Sequence, residues 1–98
     1  MYTLRNKKFS FNPEKDSKIV SERKLSFQDI INAIMNNKAL AFIPHPNQEK
    51  YPNQKIIYVE IEEEIYVVPC VEDKDTLFLK TLFPSRKARQ LFLPKKIK

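Results

Sequence analysis

Apolar residues recur at Phe27, Ile30, Ile31, Ile34 and Met35, the i, i+3, i+4, i+7, i+8 spacing of an amphipathic helix packed on something. Ser26-Phe27-Gln28-Asp29 has the form of a capping box at its start, and Asn36-Asn37 is a plausible stop. Asn12-Pro13 predicts an earlier helix. Asn caps it, Pro at the first helical position loses no needed N–H, and the helix runs from Pro13 to about Lys24. Its apolar content is thin (Ile19 and Val20), which puts it on the surface.

Elsewhere the pattern is β. Residues 3–11 read as a short strand with Phe9 and Phe11 on one face, and Ala39 to Ile43 as another strand or extended segment. The stretch HPNQEKYPNQK has two prolines and no periodicity, so it is a loop; its repeated Pro-Asn-Gln is too short-ranged for a repeat fold. From Ile56, the residues Ile57, Val59 and Ile61 alternate with polar ones, the mark of a strand with one buried face. Glu62-Glu63-Glu64 turns without glycine, and Ile65 to Val71 returns as a second strand, with an edge position or a bulge expected at Pro69. After Asp73-Lys74-Asp75, Thr76 to Phe83 is a third strand, apolar on both faces except for Lys80 and the threonines, and therefore central. Ser85 caps a short helix from Arg86 to about Leu93, Pro94 stops it, and the last residues fray. The expected architecture is α+β: N-terminal helices on an antiparallel sheet of three to four strands, closed by a short C-terminal helix.

The length of 98 residues fits one domain, 1–98, with one modest core. A single cysteine, Cys70, excludes an intrachain disulfide and fits a reducing cytoplasm. No apolar run follows the first methionine, and no stretch approaches the ~20 apolar residues of a membrane span. The expected location is cytoplasmic, with no membrane partner.

Net charge is +6, and its placement matters more than its size. From Lys80 onward there are seven basic side chains and no acidic one, while the preceding 79 residues carry a net −1. Such a block suits a polyanion or, more plainly, is a solvated tail.

The absence of glycine excludes phosphate-binding glycine loops, and one His with one Cys argues against a zinc site. His45 is either an acid–base candidate or simply exposed. The acidic residues at 60–64 and 72–75 fit solvated turns better than a metal site. Lys80, in the otherwise apolar Phe78-Leu79-Lys80-Thr81-Leu82, must reach solvent or find an anion. Arg86-Lys87 follow at a helix start, which suggests a phosphate site, and Tyr51, Tyr58 and Tyr66 offer stacking surfaces. Snorkelling by Lys80 and half-buried packing of the tyrosines is the bland alternative.

Phe11-Asn12-Pro13-Glu14-Lys15 and Ser21 to Asp29, with Val67-Val68-Pro69, Phe78 to Thr81 and Pro84-Ser85-Arg86-Lys87-Ala88, resemble the BrnT-like branch of the RelE/ParE toxin superfamily. The likeness runs from about Phe9 to Phe92 and rests on order and spacing; the closing segment departs from the I-S-A-R of BrnT itself. The resemblance implies a RelE-like fold and the toxin of a type II toxin–antitoxin pair. It implies a metal-independent, cofactor-free endoribonuclease that cleaves mRNA, free or on the ribosome. It implies a cognate antitoxin, a small DNA-binding protein of the ribbon-helix-helix kind, through which alone operator DNA is contacted. In such enzymes the RNA 2′-hydroxyl attacks the adjacent phosphate, so the site needs a base, cations and an acid. Matched to this chain, Arg86 stabilises the phosphorane, Lys80 is the second cation or the base, and His45 is an outside candidate for acid or base. Lys50, Tyr51, Lys55, Tyr58, Lys87 and Arg89 are candidates for holding RNA. The alternatives are a non-catalytic ParE-like or degenerate toxin, or a basic nucleic-acid-binding module.

Overall fold

The computed structural model describes residues 4–93. The expected basic tail, and Pro94 as a helix stop, lie outside the described residues, as does residue 3 at the start of the first strand. A short 3₁₀ turn, Leu4–Asn6, leads into strand β1 (Lys8–Phe11) and helices α1 (Pro13–Arg23) and α2 (Phe27–Met35). Strands β2 (Ala39–Pro44), β3 (Gln54–Ile61), β4 (Glu64–Asp73), β5 (Thr76–Leu79) and β6 (Phe83–Pro84) follow, and helix α3 (Arg86–Phe92) closes the chain. The class is α+β, as expected.

The helix ends form where the sequence places them. The Asn12 side chain accepts from the N–H groups of Glu14 and Lys15, and Pro13 is the first helical residue. Both bonds of the capping box between Ser26 and Asp29 are present, which satisfies two otherwise orphaned donors. The Asp16 carboxylate accepts from the Phe27 N–H at 2.7 Å, tying α1 to the start of α2. Asn36 is the C-cap of α2, and Asn37 follows with a left-handed φ of 65°.

The sheet corrects the expectation of three or four antiparallel strands. Among the described residues it has six strands, in the order β1-β5-β4-β3-β2 with β6 against β4, and it is mixed, because β1 lies parallel to β5. Phe9 and Phe11 drive this placement: both pack against the core, and Phe11 stacks on Phe27 with ring centroids 5.0 Å apart. That non-local burial fixes where the N-terminal strand docks, and no local pattern encodes it.

The expected continuous strand from Thr76 to Phe83 is also corrected. β4 pairs with β5 through Cys70 to Asp73 and with β6 through Tyr66 and Val67, leaving a gap at Val68 and Pro69. Within a strand a residue's N–H and C=O point to the same side. The Pro69 carbonyl accepts from Lys80 N–H, so the nitrogen of Pro69, which carries no hydrogen, faces that same side. The ladder breaks where its donor is missing, and Lys80 to Leu82 cross the gap.

Two cores flank the sheet. α1 and α2 cover one face, burying Ile19, Phe27, Ile30 and Ile34 against Ile57, Val59, Val68, Cys70, Leu77 and Leu79. α3 covers part of the other face, with Ala88 on Ile56, Ile65 and Val67.

Candidate functional site

The registers fix which side chains share the α3 face. Ile43 is opposite Ile56, Ile56 opposite Pro69, and Lys80 is bonded to Pro69, which makes one row across the sheet. The next row is Gln54, Val71, Phe78 and Ser10. The row containing Tyr58 and Val67 lies under α3, where Tyr58 meets Phe92 with centroids 5.1 Å apart. α3 therefore covers one half of this face and leaves the other half open. In the open half Ile43 and Phe78 are each 39% exposed.

Lysines border this open floor. Lys80 is exposed beside Pro69, and Lys8, opposite Thr76 on β1, shares the face. On α3, Ala88 points down and the Arg89 guanidinium reaches the Glu63 carbonyl at 2.8 Å, on the hairpin-tip flank. At 100° per residue, Lys87 and Leu91 then fall on the opposite flank, toward the open half, and Arg86 on the solvent side. Leu91 is 73% exposed. Among the described residues, Lys8, Lys80, Arg86 and Lys87 form no side-chain hydrogen bond or ion pair. Their cations are available to an anion.

His45 stands at the far margin. Its N–H donates to the Gln54 carbonyl at 3.0 Å, which continues the β2–β3 ladder and keeps its side chain on the face of Ile43. The ring nitrogen Nδ1 accepts from Asn47 N–H at 3.0 Å, so in the neutral ring Nε2 carries the proton. The ring lies 4.5 Å from that of Tyr51, and the Lys50 ammonium sits 5.4 Å from the centre of the Tyr51 ring. The Asn47 side chain accepts from Lys50 N–H at 3.1 Å and Gln48 reaches the His45 carbonyl at 2.7 Å, so the 45–53 loop is ordered by its own polar groups.

The structure thus brings Lys80, Lys87 and His45 to one face, with Lys50 and Tyr51 beside His45. Tyr58 is under α3, Arg89 is turned to the hairpin tip, and Arg86 leads α3 from its outer side. Lys55 lies on the opposite face. Its ammonium is 2.8 Å from the Glu72 carboxylate, shared with Lys7 at 2.7 Å, and 5.0 Å over Phe42. Tyr66 also faces α1 and α2, and burial raises its phenol above the usual tyrosine value.

Lys8, Phe78 and Leu91 escaped the sequence reading. The alternation of Lys8-Phe9-Ser10-Phe11 gives the outward direction of Lys8, but only the pairing of β1 with β5 puts it beside Phe78.

A concavity of about 600 Å³ lies between the α1–α2 junction and the β3–β4 hairpin. Its lining opposes Arg23, Lys24 and Lys38 to Asp29, Glu60, Glu62 and Glu64, a balance that gives no net attraction for phosphate. The acidic turns bring together no group of three or more metal-ligating side chains among the described residues. No described helix is long and apolar enough to cross a membrane.

Comparison with protein-family models, with curated proteins and with solved structures returns no match to this chain.

Proposed function

We propose that this chain is the toxin of a type II toxin–antitoxin pair, similar to the BrnT-like branch of the RelE/ParE superfamily, and that it cleaves RNA without a metal. The observation that carries the reading is the segregation of charge between the two faces. Beside the sheet itself, Lys7 and Lys55 on the α1/α2 face share Glu72, while Lys8 and Lys80 on the α3 face and Lys87 on α3 have no carboxylate partner among the described residues; Lys15, Lys18, Lys24 and Lys38, unpaired as well, stand out on or beside the helices rather than on the sheet. A site that must hold a phosphorane needs uncompensated cations fixed on a rigid element. Lys80 fits that need, because its backbone is bonded to β4.

In this reading Lys80 stabilises the pentacoordinate phosphate as the 2′-hydroxyl attacks. Arg86, at the first turn of α3 but on its solvent side, adds to the positive field over the phosphate without contacting it. Water takes the 2′-hydroxyl proton and returns one to the departing 5′-oxygen, while His45, at the far margin, lines the path of the RNA. Lys87 and the Lys50–Tyr51 pair hold the flanking chain. Lys55 takes no part. The partner is a small DNA-binding antitoxin that covers this face and carries the operator contact.

Induced expression tests the reading directly. Growth arrest accompanied by cleaved mRNA is expected from the wild type and not from a folded Lys80→Ala variant. Arrest with intact RNA would move the reading to a non-catalytic toxin. The exposed apolar floor of Ile43, Phe78 and Leu91 would then mark a protein-binding surface.

A further inference from the structure

We propose that the open half of the α3 face is a platform for single-stranded RNA on which Phe78 stacks one base while Lys8 and Lys80 hold the adjoining phosphates. The choice of RNA as occupant rests on the reading above; the placement of the platform rests on the sheet.

Phe78 is set mid-strand, opposite Val71 on β4 and Ser10 on β1. It is 39% exposed although its neighbours Leu77 and Leu79 are fully buried. A large aromatic ring on an open sheet surface exposes apolar area that folding gains nothing by leaving in water. On the same face, Thr76 in β5 and Lys80 just past its end precede and follow it at two-residue spacing, and Lys8 pairs with Thr76. The cations therefore stand on either side of the ring, Lys80 two strand residues or roughly 7 Å along from it and Lys8 on the diagonal one strand over, about four strand residues or roughly 14 Å from Lys80. Their long side chains can lean in from both sides toward the phosphates that flank a nucleotide stacked on the ring. Neither the Ile43–Lys80 row nor the Gln54–Ser10 row contains an acidic side chain; the row beyond them, Asp73, Thr76 and Lys8, carries one carboxylate at the rim, two strands from Lys8. A duplex cannot present a base face to the ring, so the platform selects single strands.

The competing occupant is an acidic protein segment, which the lysines would also attract. The ring distinguishes them: a base gains from a planar aromatic and tolerates Trp in its place, whereas an acidic peptide depends on the lysines alone. A hollow between α1 and residues 81–83, lined by Lys15, Lys18 and Arg23 together with Glu22, supplies the control.

The test is fluorescence anisotropy with a labelled 12-nucleotide 2′-O-methyl RNA of mixed sequence, which can bind but cannot be cleaved through its 2′-oxygen. The wild type is expected to bind with an affinity that falls steeply with salt. Phe78→Ala, shown folded by circular dichroism, is expected to weaken binding about tenfold or more, the size of a lost base–aromatic stack. Phe78→Trp is expected to restore it, and Lys18→Ala to leave it unchanged. The inference is overturned if Phe78→Ala binds as the wild type does, if Lys18→Ala loses as much, or if the wild type binds a poly-glutamate peptide and no RNA. Cleavage is read separately. RNA cleavage with an unaffected Phe78→Ala would remove the platform and keep the ribonuclease. Phe78-dependent binding without cleavage of ordinary RNA would do the reverse.

Discussion

The backbone N–H of Lys80 donates to the carbonyl of Pro69 at 2.9 Å, across the one stretch of β4 where the ladder on that side is broken. This bond sets Lys80 on the α3 face just where the chain leaves β5. The lysine is thus held by a sheet while its side chain stays in water. Thr81 and Leu82 turn toward α1, and the chain re-forms a two-residue strand before α3 begins.

Glu62 and Glu63 carry φ values of 52° and 68°, a tight turn of the mirror type made without glycine. Left-handed backbone costs a residue with a Cβ roughly 1 kcal/mol relative to Gly. The paired change Glu62→Asn with Glu63→Gly is expected to stabilise the fold by about 1 kcal/mol, raising Tm by roughly 4–8 °C for a domain of this size. The Glu63 carbonyl that accepts from Arg89 is backbone and survives the change. A thermal melt followed by circular dichroism checks it; a lowered Tm would contradict the turn geometry.

The side-chain hydrogen bonds of Lys55 and then Lys7 hold the Glu72 carboxyl below the usual carboxylate range. A carboxyl whose folded value is depressed contributes stability above its unfolded value, near ~4.3, and loses it as pH falls through the folded value. Glu72→Gln is therefore expected to lower stability at neutral pH, by about 1 kcal/mol for a partly exposed cluster. The gap between variant and wild type should close as pH falls from ~5 toward ~2. Urea melts across that range decide it. A gap that stayed constant with pH would show that the charge is not what stabilises.

Cys70 is fully buried beneath α1 and α2, and burial pushes its thiol up to about 12, with Glu72 adding to the shift. The thiolate is the reactive form, so the native protein is expected to resist a disulfide reagent at neutral pH and to react only as it unfolds. Labelling followed against urea concentration should track the unfolding transition. Prompt labelling of native protein would contradict this packing.

Helices and caps were legible because their signals are local: Asn12 before Pro13, Ser26 three residues before Asp29, and the apolar stripe from Phe27. The β3–β4 hairpin was equally plain from alternation. The placement of β1 beside β5 was not, since Lys8-Phe9-Ser10-Phe11 records which side chains point inward but nothing about its neighbour. The break after Leu79 was half legible, because Pro69 announced an irregularity without saying which partner strand would take it. Of the candidate site, Lys80 stood out as a lysine amid apolar residues. Lys55 looked equivalent in sequence, and only the register, which sets it beside Glu72 on the other face, separates the two.

Lys80 on the uncompensated face is the centre of this account. Growth and RNA integrity after induced expression test it most directly, with wild type, Lys80→Ala and Arg86→Ala run side by side and folding confirmed for each. The wild type should arrest growth with cleaved mRNA, Lys80→Ala should do neither, and Arg86→Ala should be impaired less than Lys80→Ala. Arrest and cleavage that persist in both folded variants would contradict the assignment of this face as the ribonuclease site.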